Sequence, residues 1–364
     1  MSSEYNQAFA CLSVGIPWLV FICFANPICD CRHIFGFKGD VRDSLHYIDD
    51  QTIIFPAGHN VVIYNTEQKT QRFIAGTEKT EGISALALSP NKRYVAIAER
   101  ADKGMITIFD LVSMRRRKVL ITVETASREY VSLSFSQDSK ILLAQGGSPD
   151  WTLVYWNWEK AKALAWTKAS SQSSNEIYNC TICPGDPTLC CVSGAQVFKI
   201  FRYINGETAF KTIAGSVSKR EPQIYTHHAW ISDDKMLLGT EPGEIHVVEN
   251  GEVKVTIPPM QEEIAITYLV PYSKGFVAGC DMGQLQLFEK TDDKDMFRRS
   301  KSVKVEGSSV KIRSVAMTPT EDSIVVALQD NQLYMLSLAS SDILKSDEMS
   351  FEPLSQAFHS QQIT

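Results

Sequence analysis

Four cysteines come nearest to a recognisable chemistry. Cys180 and Cys183 have two residues between them, and Cys190 and Cys191 follow. Four thiolates would suffice for a tetrahedral zinc site. However, the stretch between the pairs has the length of a hairpin turn, and neighbours on a strand face apart, so Cys190 and Cys191 would not both turn to one ion. Buried small hydrophobes are the better reading, and neither a metal nor another cofactor is expected. His227 and His228 meet the same objection, and one of the two is expected in the core. Cys29 and Cys31 would bind metal only with partners that the sequence does not identify.

Signatures of catalysis are missing. There is no Gly-x-x-x-x-Gly-Lys-Ser/Thr loop, no dinucleotide fingerprint, no His-Glu-x-x-His and no Gly-x-Ser-x-Gly. No catalytic residue is expected. The one dense basic run is Arg115, Arg116, Arg117 and Lys118. It follows a third strand and is expected in the loop before an outer strand. There it is either a solvated rim or an electrostatic contact for an acidic partner such as a tubulin tail. Asp292 to Asp295, followed by Arg298 and Arg299, reads as a solvated mixed-charge loop. Trp151, Trp156, Trp158 and Trp166 cluster in one repeat, where most should pack between sheets; an exposed one would be an interaction anchor.

These residues are positioned by a repeat, seen most clearly from Ile83 to Leu111. Ile83–Leu88 alternates weakly, as a strand buried on both faces does. Ser89-Pro90-Asn91-Lys92 is a turn, with Pro presetting φ at its second position. Tyr94–Ala98 and Met105–Asp110 are two further strands rich in β-formers. Related units begin at Ser44, Ile83, Tyr130, Ile177, Tyr225, Ala265 and Ile312, spaced by 39 to 48 residues. Such a period predicts an all-β, seven-bladed β-propeller of the WD40 type, because a single four-stranded sheet cannot bury both of its faces alone. The Trp-Asp and Gly-His signatures are missing; Phe109-Asp110 is the nearest echo. The rival is a sandwich of unrelated hairpins, disfavoured by the constant strand order.

The 364 residues suit one such ring with short ends. A net charge of −6 argues against nucleic acid as a partner. Five of the nine cysteines follow residue 31, without regular spacing, which suits reduced thiols better than a disulfide framework. Asn179-Cys180-Thr181 matches the N-glycosylation pattern but falls in an expected inner strand, so the match is read as accidental.

The expected divisions are a leader at 1–31, the propeller at 32–350, and the start of a truncated repeat or a closing segment at 351–364. Ala8 to Cys29 is long and apolar enough for a secretion signal or a membrane anchor, but it lacks a basic flank and contains Pro17. An alternative start that packs nowhere definite fits better. Arg32–Phe35 is expected to supply the outermost strand of the last blade, the role that closes a propeller; Phe351–Phe358 is a second candidate. Phe358–Thr364 reads like the opening of another repeat, as in a fragment of a longer protein.

Five segments carry a more specific likeness: RHIFGFKGDVRD (32–43), TIIFPAGHNVVIYNTEQKTQRFIAGTEKTEGISALALSPNKRYVAIAE (52–99), LVYWNWEKAKALA (153–165), AWISDDKMLLGTEPGEI (229–245) and FEPLSQAFHSQQIT (351–364). Through them the sequence resembles the N-terminal propeller of a cilia- and flagella-associated family of WD-repeat axonemal proteins. The resemblance implies a non-enzymatic scaffold of the motile cilium. It also implies partners among inner dynein arm and regulatory components on the doublet microtubule. The family's second propeller and long coiled coil have no counterpart in this sequence, which leaves dimerisation open. Two alternatives stand beside this reading. A propeller hydrolase or lyase would need acids or histidines converging on the axial channel, whereas the inner strands read as Ala, Ser, Leu and Thr. A secreted or anchored propeller would depend on residues 8–29.

Overall fold

The computed structural model describes residues 33–170, 172, 174–214, 223–260, 264–293, 296–338 and 350–354. The leader, Cys29, Cys31, Lys294, Asp295 and Phe358–Thr364 therefore lie outside the described residues. The chain forms seven antiparallel sheets of four strands each, a seven-bladed propeller. The innermost strands of blades 1 to 7 are His46–Tyr47, Gly82–Leu88, Tyr130–Phe135, Ile177–Ile182, Tyr225–Trp230, Ile266–Tyr272 and Ile312–Met317.

Burial is greatest on the second strands of the blades, less on the innermost strands and least on the outer ones. The second strand of blade 6, Gly275–Cys280, is buried at every residue, and the second strand of blade 4, Leu189–Gly194, is buried after its first. Outer strands such as Glu252–Ile257 alternate between exposed and half-buried. This gradient explains why the inner strands read as continuous apolar runs, since blades flank them on both sides. One turn recurs between first and second strands. Ser89 Oγ donates to Asn91 Oδ1 at 2.7 Å and accepts the Tyr94 N–H at 2.9 Å. Ser136 and Asp138 repeat the arrangement at 2.6 Å, and Thr318 donates to Asp322 at 2.9 Å. Lys92, Ser139 and Glu321 take the positive φ that each of these turns needs, near 60°.

Each interface between neighbouring blades has its own apolar cluster. Trp156 and Trp158 pack between blades 2 and 3, with Trp166 half-buried against them, and Trp151 packs between blades 3 and 4. Cys190 lies in the interface of blades 3 and 4, whereas Cys191 lies in that of blades 4 and 5. The second strand thus sends alternate side chains to opposite neighbours, which separates the thiols. Among the described residues no group of three or more His, Cys, Asp or Glu could hold a metal ion.

Closure differs from the expectation for Arg32–Phe35. His33–Phe35 form no strand; the outer strand of blade 7 is Glu352–Pro353, paired with Leu333–Ser337. The reason lies in Gln71, on the outer strand of blade 1. Its side chain takes the Ile34 N–H at 2.7 Å and donates to the Ile34 carbonyl at 3.1 Å, which holds this segment against blade 1. Gly36, at φ 85°, then turns the chain into the seam between blades 7 and 1. There Phe37 donates to the Asn331 carbonyl at 3.1 Å, Lys38 to the Pro56 carbonyl at 2.8 Å, and Gly39 to Asn331 Oδ1 at 3.0 Å. Phe37, Leu45, Phe55, Val325 and Leu354 fill the seam. Burying each such side chain contributes about 1.5–3 kcal/mol.

Candidate functional site: the axial mouth and the edge of blade 2

The innermost strands of blades 2 to 7 share an irregularity. Each carries one residue that has no partner on the second strand: Ser84, Val131, Tyr178, Thr226, Thr267 and Arg313. An extra residue of this kind re-aims side chains. Four of the six, Tyr178, Thr226, Thr267 and Arg313, line one cavity of about 100 Å³. It is completed by Arg42 and Asp43, from the segment before blade 1, and by Asn179, His227 and Tyr268 beside the bulges. Lys311 and Glu241 also line it. The mouth thus draws on blades 4 to 7 and on the approach to blade 1.

Polar groups in this wall lack partners. Both amide atoms of Asn179, His227 Nε2, Thr267 Oγ1 and Arg313 Nε are buried without a hydrogen bond among the described residues. Asn179 is 2% exposed and His227 is 8% exposed. The Leu269 N–H donates to His227 Nδ1 at 3.2 Å. Nδ1 is therefore the acceptor, and in the neutral ring Nε2 carries the hydrogen. Burial, with His228 and Arg42 nearby, holds His227 well below its usual pKa and keeps the ring neutral. Its ring packs against Tyr268, with centroids 4.2 Å apart.

The charges of the mouth are unevenly compensated. The Arg42 guanidinium lies over the Tyr178 ring, 4.1 Å from its centre. Burial and then Arg313 lower its pKa, although a guanidinium remains charged. Neither arginine has an ion-pair partner among the described residues, whereas Lys311 pairs with Asp281 at 3.3 Å. Tyr268 donates its hydroxyl to Asp43 Oδ1. Burial raises the Asp43 carboxyl to about 6, and the Tyr268 hydrogen bond works in the opposite direction.

The neighbouring His228 is different. Fully buried, it bridges Ser193 through Nδ1 at 2.7 Å and Thr181 through Nε2 at 2.8 Å. Both histidines are thus interior, where one was expected. Asn179, the acceptor of the glycosylation pattern, sits in the wall of the mouth on the innermost strand of blade 4. Reading the innermost strands by their central residues hides the mouth, because its side chains come from the first residues of each strand. Aligning the repeats by their starts would have shown it: Tyr178, Thr226 and Arg313 each follow their unit's first residue.

The basic run forms the second candidate, in a place other than the expected loop. Arg115–Leu120 is itself the outer strand of blade 2. The turn before it closes early: Asp110 Oδ1 accepts the Val112 and Ser113 N–H groups, each at 3.0 Å, and Met114 takes φ 54°. Pairing then begins at once, Asp110 opposite Arg115 and Phe109 opposite Arg116, with Arg117 bulged before Lys118 meets Ile108. All four basic side chains are exposed. Val112, Ile121 and Val123 flank them at 80%, 54% and 78% exposure. The result is a cationic strand edge with apolar shoulders.

No protein-family model matches the chain. The chain is 32% identical to mouse cilia- and flagella-associated protein 57, in an alignment covering 93% of this chain and 31% of that protein. The chain is thus similar to cilia- and flagella-associated protein 57 over nearly its whole length. The Tetrahymena thermophila cilia- and flagella-associated protein 57 A is 26% identical over 92% of this chain and 30% of its own length. Mouse cilia- and flagella-associated protein 44 is 26% identical over 62% of this chain and 12% of its own length. The chain thus spans about a third of the length of the cilia- and flagella-associated protein 57 relatives it matches. Among solved structures, the β-propeller domain of Myceliophteria thermophila Cps50 (Swd1) superposes with a TM-score of 0.60 at 14% identity, covering 73% of this chain and 87% of that one. A chain of the mitotic checkpoint complex gives 0.66 at 13% identity, covering 91% and 98%. These two likenesses are of fold alone. The likeness to cilia- and flagella-associated protein 57 assigns no role to a residue, so the mouth and the edge rest on their geometry.

Proposed function

We propose that the chain is a non-enzymatic interaction scaffold of the motile-cilium axoneme, acting in inner dynein arm assembly or regulation and so in ciliary motility. Its partners in this reading are inner dynein arm and regulatory components and the doublet microtubule. The observation that carries the reading is the likeness to cilia- and flagella-associated protein 57 across 93% of the chain. The exposed edge Arg115–Lys118 supplies a contact suited to an acidic segment such as a tubulin tail, with Val112, Ile121 and Val123 as apolar shoulders. Surface arginines contribute chiefly to encounter and orientation, so the edge acts as one contact among several.

The test is expression of tagged residues 1–364, residues 32–364, and a 1–364 variant with Arg115, Arg116, Arg117 and Lys118 changed to Glu, in ciliated cells. The first two should stay with the axoneme after detergent extraction, and the charge-reversed variant should be depleted from it. Passage of the full chain into the secretory pathway would overturn the scaffold reading. Full retention of the charge-reversed variant would remove the edge from it.

A further inference from the structure

We propose that the axial mouth is a binding site for a single carboxylate, presented by an acidic side chain or by a small carboxylic acid. This goes beyond the scaffold reading and does not depend on it. Three features carry it. The unpartnered polar atoms of the wall are mostly donors: His227 Nε2–H, the Asn179 amide hydrogens, Arg313 Nε–H and the Thr267 hydroxyl. A buried donor left without an acceptor costs about 1–3 kcal/mol, so a wall of them is completed by an acceptor from outside. Arg42 and Arg313 face the same cavity without an ion-pair partner among the described residues, and guanidinium groups match a carboxylate in two-pronged geometry. The space, about 100 Å³, holds roughly three waters and is too small for an ordinary metabolite pocket of about 300 Å³ or more. It therefore takes a head group and leaves the rest of the ligand outside.

The charges around the site select among anions. Asp43 belongs to the wall, and the exposed Glu241 also lines it. Glu176 acts on Arg42 from nearby, and Lys311 is held by Asp281. The guanidinium charges of Arg42 and Arg313 are already offset in part by Glu176, Asp281 and Asp40 nearby, and Asp43 adds a carboxylate to the wall, so the balance favours a monoanion over a dianion such as phosphate. Asp43 is then a selectivity element, and its removal should tighten anion binding.

The experiment is calorimetric titration of the full chain with four probes: N-acetyl-glutamate α-amide, its glutamine analogue, inorganic phosphate and a hexaglutamate peptide. The acid should bind at one site and the glutamine analogue should not. Arg313→Gln should weaken the acid by about tenfold or more, as loss of a charged hydrogen bond does. Thr267→Val deletes one donor at nearly constant shape and keeps the test decisive should the arginine variant misfold. Asp43→Asn should tighten binding, and Lys160→Gln, at an exposed residue outside both candidate sites, should leave it unchanged. A hexaglutamate affinity well above that of the single residue, still lost in Arg313→Gln, would identify a protein segment as the source; equal affinities would identify a small acid. Absence of acid binding, binding indifferent to Arg313→Gln and Thr267→Val, or phosphate binding tighter than the carboxylate would each overturn the proposal.

Discussion

The mouth and the edge of blade 2 are both rich in arginine, and they hold it in opposite ways. At the edge, four cations lie in water on the outermost strand, where exposed charge also keeps a bare strand from pairing with other chains. At the mouth, Arg42 and Arg313 are partly withdrawn from water beside like charge and unpartnered donors. A solvated charge costs the fold little and attracts weakly over a distance. A withdrawn, uncompensated one is a burden on the fold that a matching ligand can relieve. The comparison teaches that the number of charges does not locate a site; the environment in which they are held does.

The largest expected effect tests that burden. Changing Arg42 and Arg313 together to Met should stabilise the chain by about 1–3 kcal/mol, because it removes partly withdrawn charge that has no direct ion pair among the described residues while keeping apolar bulk. Arg116→Ala on the edge should stay within about 0.5 kcal/mol. Urea midpoints measure both, and equal responses would erase the distinction.

Acid titration gives a smaller and more specific effect. In the folded chain burial raises Asp43 to about 6, and lowers His46 to about 4 and His228 to about 3. A carboxyl raised by folding loses stability as pH rises from its unfolded value toward 6. The depressed histidines lose stability as pH falls below about 6.5. Between about pH 4 and 6 the two contributions oppose each other, so Asp43 softens the acid destabilisation caused by the histidines. Asp43→Asn should therefore steepen the fall in urea midpoint over that range. An unchanged or shallower fall would show that Asp43 ionises like a solvated carboxylate.

The smallest effect concerns salt. Binding of an acidic peptide at the edge should weaken several-fold between about 0.1 M and 1 M salt, where the Debye length shrinks from about 10 Å to 3 Å. Binding of N-acetyl-glutamate α-amide at the mouth should change much less, because the partners there are shielded from the solvent. A mouth as salt-sensitive as the edge would place its arginines in water after all.

The same contrast explains what the sequence makes legible. The seven units could be read because several share a Ser-x-Asn/Asp turn (Ser89-Pro90-Asn91, Ser136-Gln137-Asp138, Ser232-Asp233-Asp234) and all have apolar second strands, features set by local chemistry and by burial between two neighbours. The basic run could be found because Arg115 to Lys118 are contiguous. Its strand could not, since that depends on Asp110 closing the preceding turn within a few residues. The mouth was hidden for a different reason. Its residues are scattered from Arg42 to Arg313, and each looks ordinary within its own repeat. Only ring geometry brings them together, and only the bulge in each innermost strand turns them to one cavity. Closure by Glu352–Pro353 falls within the second sequence candidate, Phe351–Phe358; the first candidate, Arg32–Phe35, gave way because Gln71 holds Ile34 against blade 1.

The seam between blades 7 and 1 has a mechanical consequence. Both described ends of the ring lie there: Phe37 and Leu354 share one apolar cluster, and among the described residues no strand crosses from one blade to complete the other. Force that separates residue 33 from residue 354 would therefore act on side-chain packing and on the few hydrogen bonds of Phe37, Lys38 and Gly39, loaded in succession. Of the two neighbouring sheets, only the short outer pairing of Glu352–Pro353 in blade 7 would be loaded at once, and the other strands would be spared at first. The ring is built as a clasp, with its opening place fixed where the chain comes in and goes out.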